Sequence, residues 1–205
     1  LFISKNGSVL EEIKNKIIWD EFRNGSKIAL SFIYEENYSS LNYYGLKFTT
    51  DKELVKDLIQ ELFVELIDSG LNLSSTDNIR FYLLKALRYK LTNHITRISK
   101  YTHTDLRVLE FSFLDSIENQ LIKKEVETDL QVKMKNAICK LSEKQQEIIY
   151  LRFFNDLSYT EIAKLFGVEM QTVRNLMSRA IKTLKDDLNN GIGKSLILMV
   201  LRSRF

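Results

Sequence analysis

Proline is absent from all 205 residues, and glycine occurs only seven times. Average usage is roughly 5% proline, and these two residues interrupt helices more strongly than any others. A chain without the first and poor in the second can carry long unbroken helices, so an all-α fold is the expected class. The apolar fraction of 44% beside 28% charged residues is enough for a buried core and argues against wholesale disorder. At this length two small helical domains fit comfortably.

Helix starts are legible. A hydroxyl residue followed three positions later by Glu or Gln forms a capping box, in which two orphan amides are satisfied reciprocally. The pattern stands at Ser8/Glu11, Thr50/Glu53, Ser142/Gln145 and Ser158/Glu161. It predicts a first helix over residues 9–22, stopped by Asn24-Gly25, then a second over 26–36 and a further short helical stretch around Tyr43. A third helix over 51–67 places Val55, Leu58, Ile59, Leu62, Phe63, Leu66 and Ile67 on one face. A polar loop over 68–78 follows, then a fourth helix burying Phe81, Leu84, Leu87, Leu91, Ile95 and Ile98. Residues 101–115 show no sustained period and turn acidic, which marks a linker. Beyond them Ile122, Val126, Leu130, Met134 and Ile138 recur every four residues. The expected layout is a domain over 1–100, a linker over 101–132, a second domain over 133–190, and an apolar tail with basic punctuation over 191–205.

A net charge of +3 is too weak to announce a partner, but its distribution is informative. Residues 51–68 hold six acids and two bases, residues 80–100 six bases and no acid, and residues 171–185 four bases and no acid. Such segregation suits a protein with distinct faces for different partners. The single cysteine, Cys139, cannot form an internal disulfide, so the cytoplasm is the expected compartment. The longest apolar run, residues 196–201, is far below the roughly 18 to 20 residues of a membrane span. The opening Leu1-Phe2-Ile3-Ser4 has no secretory-signal character, and the true start is expected upstream.

The strongest single signal lies at residues 158–184. Ser158-Tyr159-Thr160-Glu161 opens a short helix holding Ile162, Ala163, Leu165 and Phe166. Gly167 supplies a turn, and a second helix starts near residues 169–171. This is the layout of a helix-turn-helix, whose second helix enters the major groove. Val173, Leu176, Met177, Ala180, Ile181 and Leu184 fall on its inner face, and Gln171, Thr172, Arg174, Asn175, Ser178, Arg179 and Lys182 on the other. The outer set mixes groups that bond base edges with groups suited to phosphates. Any amphipathic surface helix has a polar outer side. Here turn, cap and charge sign coincide, which favours DNA.

The stretch Leu141-Ser142-Glu143-Lys144-Gln145-Gln146-Glu147-Ile148, then Leu151-Arg152-Phe153, Leu157-Ser158-Tyr159-Thr160-Glu161-Ile162-Ala163 and Thr172-Val173-Arg174, resembles region four of bacterial sigma factors. LuxR-type response regulators carry a similar helix-turn-helix. The amino-terminal half separates the two. Trp19-Asp20-Glu21-Phe22-Arg23-Asn24-Gly25, residues 57–66 (DLIQELFVEL), and Tyr82-Leu83 with Arg88 and Arg97 are similar to region two of the extracytoplasmic-function (ECF) group. Regions one and three of larger sigma factors have no counterpart.

The resemblance implies a sigma factor that binds core RNA polymerase and directs initiation at promoter DNA, with an anti-sigma factor as a further expected partner. It places minus-thirty-five recognition on Gln171, Thr172, Arg174, Asn175, Ser178, Arg179 and Lys182. Minus-ten recognition falls to Arg80, Lys85, Arg88, Tyr89, Asn93 and Arg97, with the loop over 69–78 holding an extruded base. Tyr89 departs from the family's usual asparagine, which puts base preference there in question. Asp57, Gln60, Glu61 and Phe63 are the polymerase-contact candidates, Phe63 being equally suited to the core. Asp57, Glu61 and Glu65 lie four apart, and each like-charge pair costs roughly 0.2 to 0.5 kcal/mol in an isolated helix, which a basic partner would relieve. Trp19 belongs in the core.

Neither His94 nor His103 has metal-ligand neighbours in sequence, and no nucleophile-base pair or glycine-rich phosphate loop occurs. No cofactor, metal, small-molecule substrate or enzymatic activity is expected. The rival class is a stand-alone helix-turn-helix regulator that binds DNA as a dimer. A third reading is a polymerase-sequestering protein without promoter preference.

Overall fold

A computed structural model of the chain describes residues 2–102, 111–112 and 136–187, and among them every regular element is helical. The chain divides into two compact units, Leu1–Leu109 and Glu110–Phe205. The repeat over 116–134, the tail over 191–205, His103 and the linker, except Tyr101, Thr102, Phe111 and Ser112, lie outside the described residues. No helix among the described residues is long and apolar enough to cross a membrane.

The first unit packs four helices: α1 (Phe2–Arg23), α2 (Lys27–Gly45), α3 (Lys52–Ser69) and α4 (Ile79–Thr102), with a 3-10 turn at Gly70–Asn72. α1 stops where expected, at Asn24-Gly25, but starts earlier, so Ser8 lies inside the helix and not before its first turn. Ser26 caps α2 through a bond from Ala29 N–H. The helix then runs unbroken to Gly45 where two pieces were expected, because Ile33, Asn37, Leu41 and Tyr44 continue one buried face. The cap of α3 is Asp51, whose carboxylate accepts from Leu54 N–H at 3.0 Å, one residue beyond Thr50. α4 is held by Leu83, Leu84, Leu87 and Leu91, none more than 0% exposed. Full burial of each such side chain contributes about 1.5 to 3 kcal/mol. α2 contacts α1, α3 and α4, and Gly45 permits the closest approach: a Cβ there would meet Val55 Cγ1 at 2.5 Å.

The second unit contains α5 (Glu143–Phe153), α6 (Tyr159–Phe166) and α7 (Met170–Asp187). α5 buries six consecutive residues, Gln146 to Leu151, as a helix does when covered on several sides. Gln146 Nε2 meets that burial by donating to Leu141 O at 3.1 Å. Phe111 is buried, its ring 5.7 Å from that of Tyr150. The segment read as linker thus contributes a side chain to this core. α7 packs on both α5 and α6.

Candidate nucleic-acid interface

The capping box at the start of α6 forms in full: Glu161 N–H donates to Ser158 Oγ at 3.2 Å and Ser158 N–H to Glu161 Oε2 at 2.7 Å. α6 ends on Gly167 in the left-handed conformation, φ 66 and ψ 36, and Val168 N–H reaches back to Ala163 O at 3.0 Å. This six-to-one closure lets the chain reverse within three residues, and glycine occupies the position that costs other residues most. On α7, Val173, Met177 and Ala180 are buried, while Gln171, Thr172, Arg174, Asn175, Ser178, Arg179 and Lys182 are all exposed. Gln171 Nε2 donates to Asn175 Oδ1 at 3.0 Å, which leaves the Asn175 amino group and the Gln171 oxygen free to face base edges.

One edge of α7 forms a groove of about 430 Å3 lined by Arg174, Ser178, Lys182 and Lys185, with Tyr159 from α6 and apolar side chains from Met177 and Ile181. Tyr159 also lies under the guanidinium of Arg152, 5.4 Å from the ring centre. Three cations beside the hydroxyls of Ser178 and Tyr159 suit a phosphate strand. Lys185 and Tyr159 join the seven residues expected from the sequence; the spacing of Arg174, Ser178, Lys182 and Lys185 along one helix edge was the available signal, with Asp186 at the end of the same groove.

The minus-ten candidates on α4 do not share one face. Lys85, Tyr89, Asn93 and Arg97 succeed one another every four residues and are exposed, Tyr89 by 68%. Arg80 and Arg88 are half-buried. Arg80 Nε is buried and has no hydrogen-bond acceptor among the described residues, an arrangement that leaves a cation partly desolvated and ready for an anion. Burial pushes the Tyr82 hydroxyl above its ordinary pKa, so it remains a protonated donor.

α3 requires corrections. Phe63 is 5% exposed and meets Tyr34 edge-on at 5.0 Å, so it belongs to the core and leaves the contact set. Ile67, read as core, is 53% exposed, as is Val64 at 55%. Both continue the side that carries Asp57, Gln60 and Glu61, all exposed. The acids also have a partner within the chain: Lys90 of α4 lies 3.3 Å from Glu61 and 2.7 Å from Glu65. A groove of about 390 Å3 joins Glu61 and Glu65 to Tyr89, Lys90, Asn93, His94 and Arg97. The acidic ridge and the strand-binding candidates therefore adjoin rather than occupying separate surfaces.

Residues 131–184 match the family model described as Sigma-70, region 4. The chain is 25% identical over 162 residues to the RNA polymerase sigma factor YlaC of Bacillus subtilis (strain 168), covering 78% of this chain and 92% of that protein. It is equally similar, 25% over 179 residues, to Bacteriocin UviA of Clostridium perfringens, covering 81% and 94%. Among solved structures it resembles the sigma factor RpoE in complex with the anti-sigma factor NepR from Bartonella quintana, with a TM-score of 0.54 at 19% identity over 77% of this chain and 95% of that one; this likeness is one of fold. These matches agree with the two helical units and the helix-turn-helix geometry: residues 131–184 match sigma-70 region 4, and over most of its length the chain is similar to RNA polymerase sigma factors, among them the ECF sigma factor SigM of Bacillus subtilis (strain 168).

Proposed function

We propose that this protein binds core RNA polymerase and confers promoter-specific initiation on it, reading the minus-thirty-five element with α7 and capturing minus-ten bases with α4 and the loop before it. The observation that carries the reading is the division of α7: seven polar and basic side chains exposed on one side, the apolar side buried against α5 and α6. A recognition helix needs this arrangement to enter a major groove while its own unit stays rigid.

In the first unit the exposed acids Asp57 and Glu61, with Gln60, are the surface offered to a basic segment of the polymerase. Lys85, Tyr89, Asn93 and Arg97 combine cations, a ring and an amide, the set that grips an unstacked strand, and Arg80 supplies an anchor for a phosphate. The protein itself makes and breaks no bond; it selects the site and holds the opened strand, and the polymerase does the chemistry in the cytoplasm. An anti-sigma protein that covers these faces fits the family, as NepR accompanies RpoE in the related structure.

The test is association and footprint together. The full chain should co-purify with core polymerase, and the complex should protect an asymmetric promoter. Protection of a two-fold symmetric site by the chain alone, without polymerase binding, is the signature of a dimeric regulator and contradicts the proposal.

A further inference from the structure

Trp19 joins more of the first unit than a packing residue needs to. Its ring is fully buried, 5.4 Å from Phe22 and 4.8 Å from Tyr82 of α4. Its N–H is directed elsewhere: Nε1 donates to the carbonyl of Ser74 at 2.9 Å, 55 positions along the chain. One turn later on α1, Arg23 Nη2 donates to the carbonyl of Leu71 at 3.3 Å. At the far end of the same segment, Phe81 N–H donates to Asn78 Oδ1 at 3.0 Å and Asn78 N–H to Thr76 Oγ1 at 3.2 Å. Residues 71–78 are thus tied down at Leu71, Ser74 and Asn78, with Ser74, Ser75 and Asp77 exposed.

A phenylalanine ring would fill most of the same apolar space, so the ring accounts for the packing and the N–H for the loop. Ser74 itself is exposed. The bond runs from the buried ring out to an exposed segment. Its effect is to remove backbone freedom from a segment that has, beyond Asn72, no regular structure of its own. We infer that Trp19 and Arg23 are positioning residues that preset segment 71–78 to receive one unstacked minus-ten base, so that capture does not have to order the loop first. This inference rests on the strand-capture reading above.

The test uses holoenzyme reconstituted from the full chain and core polymerase. 2-Aminopurine is placed at each minus-ten position of the nontemplate strand in turn, and initiation is measured on promoters carrying each base at each position. In Trp19→Phe, preference at a single position should fall about threefold to tenfold, the range of one hydrogen bond, and the 2-aminopurine signal there should drop. Polymerase affinity and minus-thirty-five dependence should hold. Arg23→Gln, altered at a partly exposed side chain, should lower preference at the same position and provides the test if Trp19→Phe does not fold. Unchanged preference in both variants overturns the inference, as does an equal loss at every position accompanied by a lower melting temperature, the mark of a purely structural role. A wild-type holoenzyme indifferent to every minus-ten base overturns the strand-capture reading as well.

Discussion

Arg174 and Arg179 are exposed on the outer side of α7, but Arg174 also lines the groove shared with Tyr159, Lys182 and Lys185. If either guanidinium meets a guanine edge, its replacement by alanine should cost roughly 1 to 3 kcal/mol and erase preference at one promoter position. Lys185→Gln, by contrast, should weaken binding to all sequences alike and reduce the slope of log affinity against log salt by about 0.9. Affinities of the three variants for a promoter series at several salt concentrations separate the cases. Single residues are also where sequence reading is least decisive. Helical spacing put Leu62, Phe63 and Ile67 on the inner face of α3; the structure buries the first two, with Tyr34 of α2 edge-on to Phe63, and leaves Ile67 53% exposed. Nothing local to α3 encodes that its last turn lies at the edge of the packing.

At the scale of the helix, the caps at Ser142 and Ser158 were legible because both partners of each box lie within four residues. Thr50 misled because Asp51 beside it caps as well and draws its own N–H onto Thr49 Oγ1 at 3.1 Å. The continuity of α2 was hidden for a different reason: Ser39 and Ser40 weaken the helical signal, and the burial of Leu41 and Tyr44 that overrides it is tertiary. Gly45→Ala tests the helix contact directly. Its Cβ would collide with Val55, so a loss of about 1 to 3 kcal/mol is expected in denaturant unfolding. The pairing of Lys90 with Glu61 and Glu65 changes how the acidic ridge should be probed. Glu61→Lys places a second cation beside Lys90, confounding docking with local repulsion. Asp57 is exposed and takes no part in that cluster. Asp57→Lys should therefore lower polymerase affinity while leaving the free energy of unfolding within about 0.5 kcal/mol of wild type. Undiminished affinity removes this end of α3 from the contact.

For the molecule as a whole, the division into helical units and the helix-turn-helix followed from proline content, caps and charge segregation, all properties of chain order. The adjacency of Glu61 and Glu65 to Tyr89, Asn93 and Arg97 could not follow from chain order, since α3 and α4 meet only through packing. Nor could the packing of Phe111 on Tyr150, since Phe111 itself stands in the stretch 101–115, which has no sustained helical period. Together these surfaces let the protein choose where polymerase begins. Run-off transcription with purified core polymerase on a randomised promoter library measures this directly. The predicted result is initiation from a defined subset of templates that share one minus-thirty-five and one minus-ten sequence, absent with core polymerase alone. Transcripts no different from core polymerase alone, or drawn evenly from the library, would contradict it.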